Sequence, residues 1–131
     1  MNTKVLMVSA AVVMGVAGIS FSFLPQEIVS HLRMGTGPFL PLFLQLLGAL
    51  YLGFAMLNWM AKANLIGGIY SRPVATGNFL HFVIAAFALA KGLRTGPISG
   101  VLWLVTGIYV VFAVLFGFVL FGHPVRKEGA A

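Results

Sequence analysis

RPVATGNFLHFVIAAFALAKGL, residues 72–93, is the stretch that decides the fold. Between Pro73 and Lys91 it is apolar apart from a few small or polar side chains, and about 20 mostly apolar residues suffice for a helix to cross a hydrocarbon core roughly 30 Å thick. Asn78 and His81 interrupt that run. On a helix, residues three, four and seven apart share a face, so the spacing predicts one narrow stripe of Asn78, His81, Ala85, Ala88 and Gly92. The two polar residues are therefore expected to face inward.

Working outward, three further runs have the same character. Residues 5–24 are stopped by Pro25, residues 39–60 have Pro38 and Pro41 near their start, and residues 98–122 end at His123-Pro124; the run opened above spans 74–91. Every proline falls at a run's end, where a missing N–H costs least. The connections are short, so successive helices are expected to run antiparallel. The expectation is an all-α, up-down, four-helix transmembrane bundle, a single integral membrane domain over residues 1–131.

Composition agrees with that expectation. The chain is 60% hydrophobic and 8% charged, whereas a soluble domain carries about 25% charged residues; these charges could not cover a globular surface. The net charge of +6 comes from basic residues scattered at span ends. That is the pattern of lipid headgroup contact and orientation, and it lacks the basic stripe a nucleic-acid partner needs. Lys4, Lys62, Arg72, Arg126 and Lys127 fall on one side, and Arg33, Lys91 and Arg94 on the other. By the positive-inside rule both termini are expected in the cytoplasm. Lys62, Arg72, Arg33 and Arg94 are the expected headgroup and orientation residues, and Trp59 and Trp103 the interfacial anchors.

The first run has Lys4 before it, as a signal peptide would. It exceeds the usual apolar core of about 7–15 residues, and Ala11, Gly15, Gly18 and Ser22 recur along it at helix-packing intervals. A retained first helix is expected. In the following loop, Pro25 starts a helical turn with Glu27 near its positive end. Ile28, Val29 and Leu32 are expected against the membrane surface, with Glu27, His31 and Arg33 toward water. In the next connection Gly67-Gly68 marks a turn.

The second and fourth spans carry stripes of their own. Gln45, Gly48, Tyr51, Ala55 and Asn58 fall within an arc of roughly 140°, and Ser99, Thr106, Ala113 and Gly117 line the fourth span with Tyr109 close by. Small residues admit a neighbouring backbone and amides bond across the gap. The remaining faces, rich in Leu, Phe and Val, are read as lipid-facing.

Several chemistries are set aside. Proton-coupled transport uses an intramembrane carboxylate, but the chain has no Asp, and Glu27 and Glu128 lie outside the spans. With no cysteine there is no disulfide, thiolate metal site or thiol exchange. The Thr-Thr-Phe-Ser run of four-helix fluoride channels is missing. A Ser-His-Asp hydrolase lacks its acid. Two-histidine haem ligation fails because His31 and His123 lie at opposite surfaces. A single-His pigment or haem site at His81 stays open, since Gly77 one turn earlier leaves room for a flat macrocycle. No other cofactor, no metal and no catalytic residue is expected.

The segment QLLGALYLGFAMLNWMAKANLIGGIYSRPVATGNFLHFVIAAFALAKGL resembles small bacterial four-helix membrane proteins of the DoxX-like type. The shared features are a Gly-rich second helix (here Gly48 and Gly53) and a basic residue just before the third helix (Arg72). The likeness covers about a third of the chain and implies a fold rather than an activity. It places the chain in a bacterial cytoplasmic membrane and contributes no catalytic residue.

The functional expectation is a non-catalytic integral membrane protein that packs with itself or serves as an accessory subunit of a membrane complex, with membrane lipids as further partners. The competing expectation is a binder or enzyme for a membrane-soluble molecule (a quinone, lipid, sterol or pigment) in a pocket lined by His81, Asn78, Gln45, Tyr51 and Asn58.

Overall fold

The computed structural model describes residues 2–32, 35, 37–63, 72–95 and 100–122. Arg33, Gly67, Gly68, Ser99, His123, Pro124, Arg126, Lys127 and Glu128 lie outside the described residues. The described chain is helical: α1 (Thr3–Phe23), α2 (Pro25–His31), α3 (Leu40–Ala61), α4 (Arg72–Thr95) and α5 (Gly100–Phe121). Four of these, α1, α3, α4 and α5, are long and apolar enough to cross a membrane. The chain is all-α, and the four long helices fit the expected four-helix class and are compatible with an integral membrane protein.

Local chemistry sets the ends of the helices. Asn2 caps α1, its side-chain oxygen accepting from the Lys4 N–H at 3.1 Å, which satisfies one otherwise orphaned donor. Pro25 cannot donate to continue α1 and instead opens α2. The short helix expected there is present. Its Gln26, Glu27 and His31 are exposed while Ile28 and Val29 are half-buried. Gly35 in the following loop has φ +92°, a conformation that costs an L side chain energy. Pro41 lies in the first turn of α3 and Pro73 in that of α4, where a missing N–H is harmless. α4 runs about a turn past the expected end at Lys91. It carries Arg94 in its last turn, where the helix dipole favours a cation.

The chain divides into two compact units, Met1–Asn64 and Leu65–Ala131. Each is a helical hairpin: α1 packs on α3 with α2 against both, and α4 packs on α5. In the first unit the pairing is antiparallel, since Met14 meets Asn58, Gly15 meets Ala55, and Gly18 meets Gly48 and Leu52. The tightest point is the glycine pair. A Cβ on Gly18 would lie 2.9 Å from the Leu52 nitrogen and 3.0 Å from the Gly48 carbonyl oxygen. A Cβ on Gly48 would lie 2.8 Å from the Ser22 nitrogen, 2.9 Å from the Gly18 carbonyl oxygen, and against the Ser22 hydroxyl. Neither position has room for a side chain, so the two backbones lie directly against each other. Lipid is as apolar as leucine, so such close van der Waals approach, rather than expulsion of water, holds helices together in a bilayer.

Two expected stripes turn out rotated. The buried residues of α3 are Leu44, Gly48, Tyr51, Asn58 and Ala61, and Gln45 is exposed. Gln45 lies about 120° round the helix from Tyr51, and Leu44 takes the inward place one turn before Gly48. In α4 the buried residues are Ala75, Asn78, Phe82 and Ala86, with His81 and Ala85 half-buried and Ala88 exposed. The inward line thus follows Phe82 rather than His81. Reading every phenylalanine-rich face as lipid-facing also fails, because Phe82 and Phe116 are fully buried and Phe112 nearly so.

Candidate functional site

The five candidate pocket residues are distributed over both hairpins. Gln45, Tyr51 and Asn58 belong to the first unit, Asn78 and His81 to the second.

Asn58 is fully buried near the end of α3. Its side-chain nitrogen donates to the Phe54 carbonyl at 2.9 Å and approaches the Met14 sulfur of α1 at 3.7 Å. Tyr51 is buried at the middle of the same face, and its ring meets Phe21 edge-on at 5.6 Å. In the second unit Asn78, also fully buried, donates from its side chain to the Val74 carbonyl at 2.8 Å. Thr106, expected on the α5 stripe, is buried and donates to the Leu102 carbonyl at 2.7 Å. All three donors reach back four residues along their own helix. A span offers no water, so a donor satisfied by the preceding turn places a polar residue at depth at low cost.

His81 borders an aromatic cluster. Its ring lies 5.2 Å from Phe82 and 5.9 Å from Tyr109, centroid to centroid. Phe82 is stacked on Phe112 at 4.8 Å and on Phe116 at 5.7 Å, and meets Tyr109 edge-on at 5.3 Å. On the α5 side Tyr109, Thr106 and Ala113 are buried as expected, and the Phe79 ring lies over Gly117, 3.2 Å from where a Cβ would stand. Sequence reading missed the aromatic core. The spacing 75, 78, 82 and 86 would have found it, had Phe82 been allowed inward.

At the far end of α3, Lys62 folds over Trp59 with its ammonium 3.0 Å from the ring centroid, a cation–π contact. Trp59 is half-exposed, as an interfacial anchor would be, and so is Trp103 in the first turn of α5. Arg72 and Arg94 are exposed at the two ends of α4. Among the described residues no three His, Cys, Asp or Glu side chains come together as metal ligands would.

No family model, curated protein or solved structure matches this chain. The functional reading rests on the site itself. Its chemistry is that of side chains used to pack helices, with one imidazole and one carboxamide at the margins.

Proposed function

We propose that the protein is a non-catalytic integral membrane subunit that works by assembling in the bilayer, pairing with a second copy of itself through the outer face of α3. One observation carries the reading. Gln45 is exposed inside an apolar span, and Ala49 and Gly53 follow it at four-residue intervals, both exposed, with open space around Gly53. Ala49 and Gly53 also floor a groove of about 550 Å³ whose other lining residues are Leu46, Leu50, Phe54 and Leu57.

A carboxamide facing hydrocarbon is costly unless it finds a partner. A carboxamide both donates and accepts, so two copies related by a two-fold axis satisfy each other at this position. The small residues below it admit the partner's backbone.

The test is the oligomeric state in lipid bilayers, by subunit counting across a range of protein-to-lipid ratios. The starting protein is expected to form a dimer whose association constant drops about 3- to 30-fold in Gln45→Leu, the range expected for one interhelical polar contact. A monomer at every density, with no co-purifying chain, overturns the reading. A stoichiometric foreign chain in place of a second copy replaces self-assembly by an accessory role. The half-buried His81 beside Tyr109 favours one other reading, a site for a membrane-soluble small molecule. A chromophore or lipid extract retained by the purified protein and lost in His81→Leu would establish it.

A further inference from the structure

We infer that the first hairpin carries a site for one anionic phospholipid, with an acyl chain lying between α1 and α3 and the phosphate at Lys62. This goes beyond the assembly reading, and none of Gln45, Ala49 and Gly53 lines the groove it uses.

A groove of about 360 Å³ opens between the two helices, lined by Ala11, Val12, Leu52, Ala55, Met56 and Trp59. Its size lies at the lower end of the range for ligand pockets. The α3 residues that line it, Leu52 to Trp59, span about 10 Å of helix axis at the usual rise per residue. It exists because Ala11 and Ala55 are small while Val12, Met56 and Trp59, all about half-exposed, stand up as its walls. Every lining side chain is apolar except for the indole N–H, so the occupant's body must be hydrocarbon.

The polar end is defined just as closely. Trp59 closes the groove toward the end of α3, and the Lys62 ammonium lies over that indole. The cation is thereby held at the groove's mouth, and an ammonium retains outward N–H donors for a phosphate oxygen while one face rests on a ring. Lys4, exposed in the first turn of α1, lies at the same end because the helices are antiparallel. Glu27, the one acidic side chain among the described residues, belongs to α2 at the opposite end. Among the described residues of the first hairpin, charge at this end is therefore positive only. An apolar trough ending at a fixed cation complements a lipid that carries net negative charge at its phosphate. A zwitterionic lipid would bring its own cation to the same place.

The test uses Trp59 as its reporter. The chain has two tryptophans, so Trp103→Phe leaves Trp59 alone. The protein is reconstituted in phosphatidylcholine vesicles containing increasing fractions of either phosphatidylglycerol or phosphatidylcholine brominated in mid-chain, and quenching of Trp59 is recorded. Half-maximal quenching is expected at an about fivefold lower mole fraction for the anionic lipid, the preference one juxtamembrane cation confers. Lys62→Gln is expected to bring the two curves together and Lys62→Arg to keep them apart. Val12→Phe, which fills the groove from its exposed rim, is expected to lower maximal quenching by both lipids. Coincident curves in the starting protein overturn the inference, as does a preference that survives Lys62→Gln or quenching unchanged by Val12→Phe. Loss of the preference on adding millimolar inorganic phosphate would show a free-anion site instead.

Discussion

Gly18→Leu and Gly48→Leu are expected to open the first hairpin. Either side chain would have to enter a space where even a Cβ lies within about 3 Å of the opposing main chain, and main chain cannot swing aside as a side-chain tip does. Alanine at Gly18 is already expected to cost about 1–3 kcal/mol, the usual scale of overpacking. Leucine forces the helices apart along the seam and removes the van der Waals approach that holds them. The measurement is SDS-induced unfolding of the detergent-dispersed monomer, with gel mobility as a second readout of hairpin compactness. Gly53→Ala, on the same helix with nothing within 4 Å, is the control and should stay within about 0.5 kcal/mol of the starting protein. Equal stability of Gly18→Leu and Gly53→Ala would show that the seam does not hold the hairpin.

Phe82→Ala is expected to be the most damaging single truncation in the second hairpin. Its ring is fully buried, stacked with Phe112 and Phe116 and edge-on to Tyr109. In a water-surrounded core the loss would be about 3–5 kcal/mol. Within a bilayer the unpacked ring meets lipid rather than water, so the transfer part of that cost largely vanishes and the cavity part remains. The expected loss is about 1–3 kcal/mol. Phe87, on the same helix but 74% exposed, gives the comparison: Phe87→Ala should change stability by less than about 0.5 kcal/mol. Hairpin unfolding followed by near-ultraviolet circular dichroism reads the pair. A Phe82→Ala loss no larger than that of Phe87→Ala would remove the aromatic core from the account.

The four spans were legible because their signal is length and hydropathy, with prolines 25, 41 and 73 punctuating the ends. Gly18 and Gly48 were legible as small residues at packing intervals, though their pairing needed the antiparallel register. The rotation of α3 and α4 was less legible, for a physical reason. A soluble helix announces its buried face by contrast with a polar one, but in a bilayer both faces are apolar, and Phe82 and Phe87 look alike in sequence. The polar residues then served as the compass. Asn58, Asn78 and Thr106 pointed correctly inward, whereas Gln45 pointed outward, because a glutamine at depth marks either an internal contact or an external one. The candidate pocket rested on all polar side chains sharing one interior. Three of its residues, Gln45, Tyr51 and Asn58, belong to the first hairpin, and two, Asn78 and His81, to the second.

The glycine seam also limits motion. Its contacts are made by main chain at fixed positions, so α1 and α3 mesh at one register only. Sliding α1 by one turn, about 5.4 Å, would carry Met14 or Ser22 into the place of Gly18, where a Cβ has no room. Piston-like displacement of α1 along α3, a common way for membrane helices to relay a signal, is therefore closed to this hairpin.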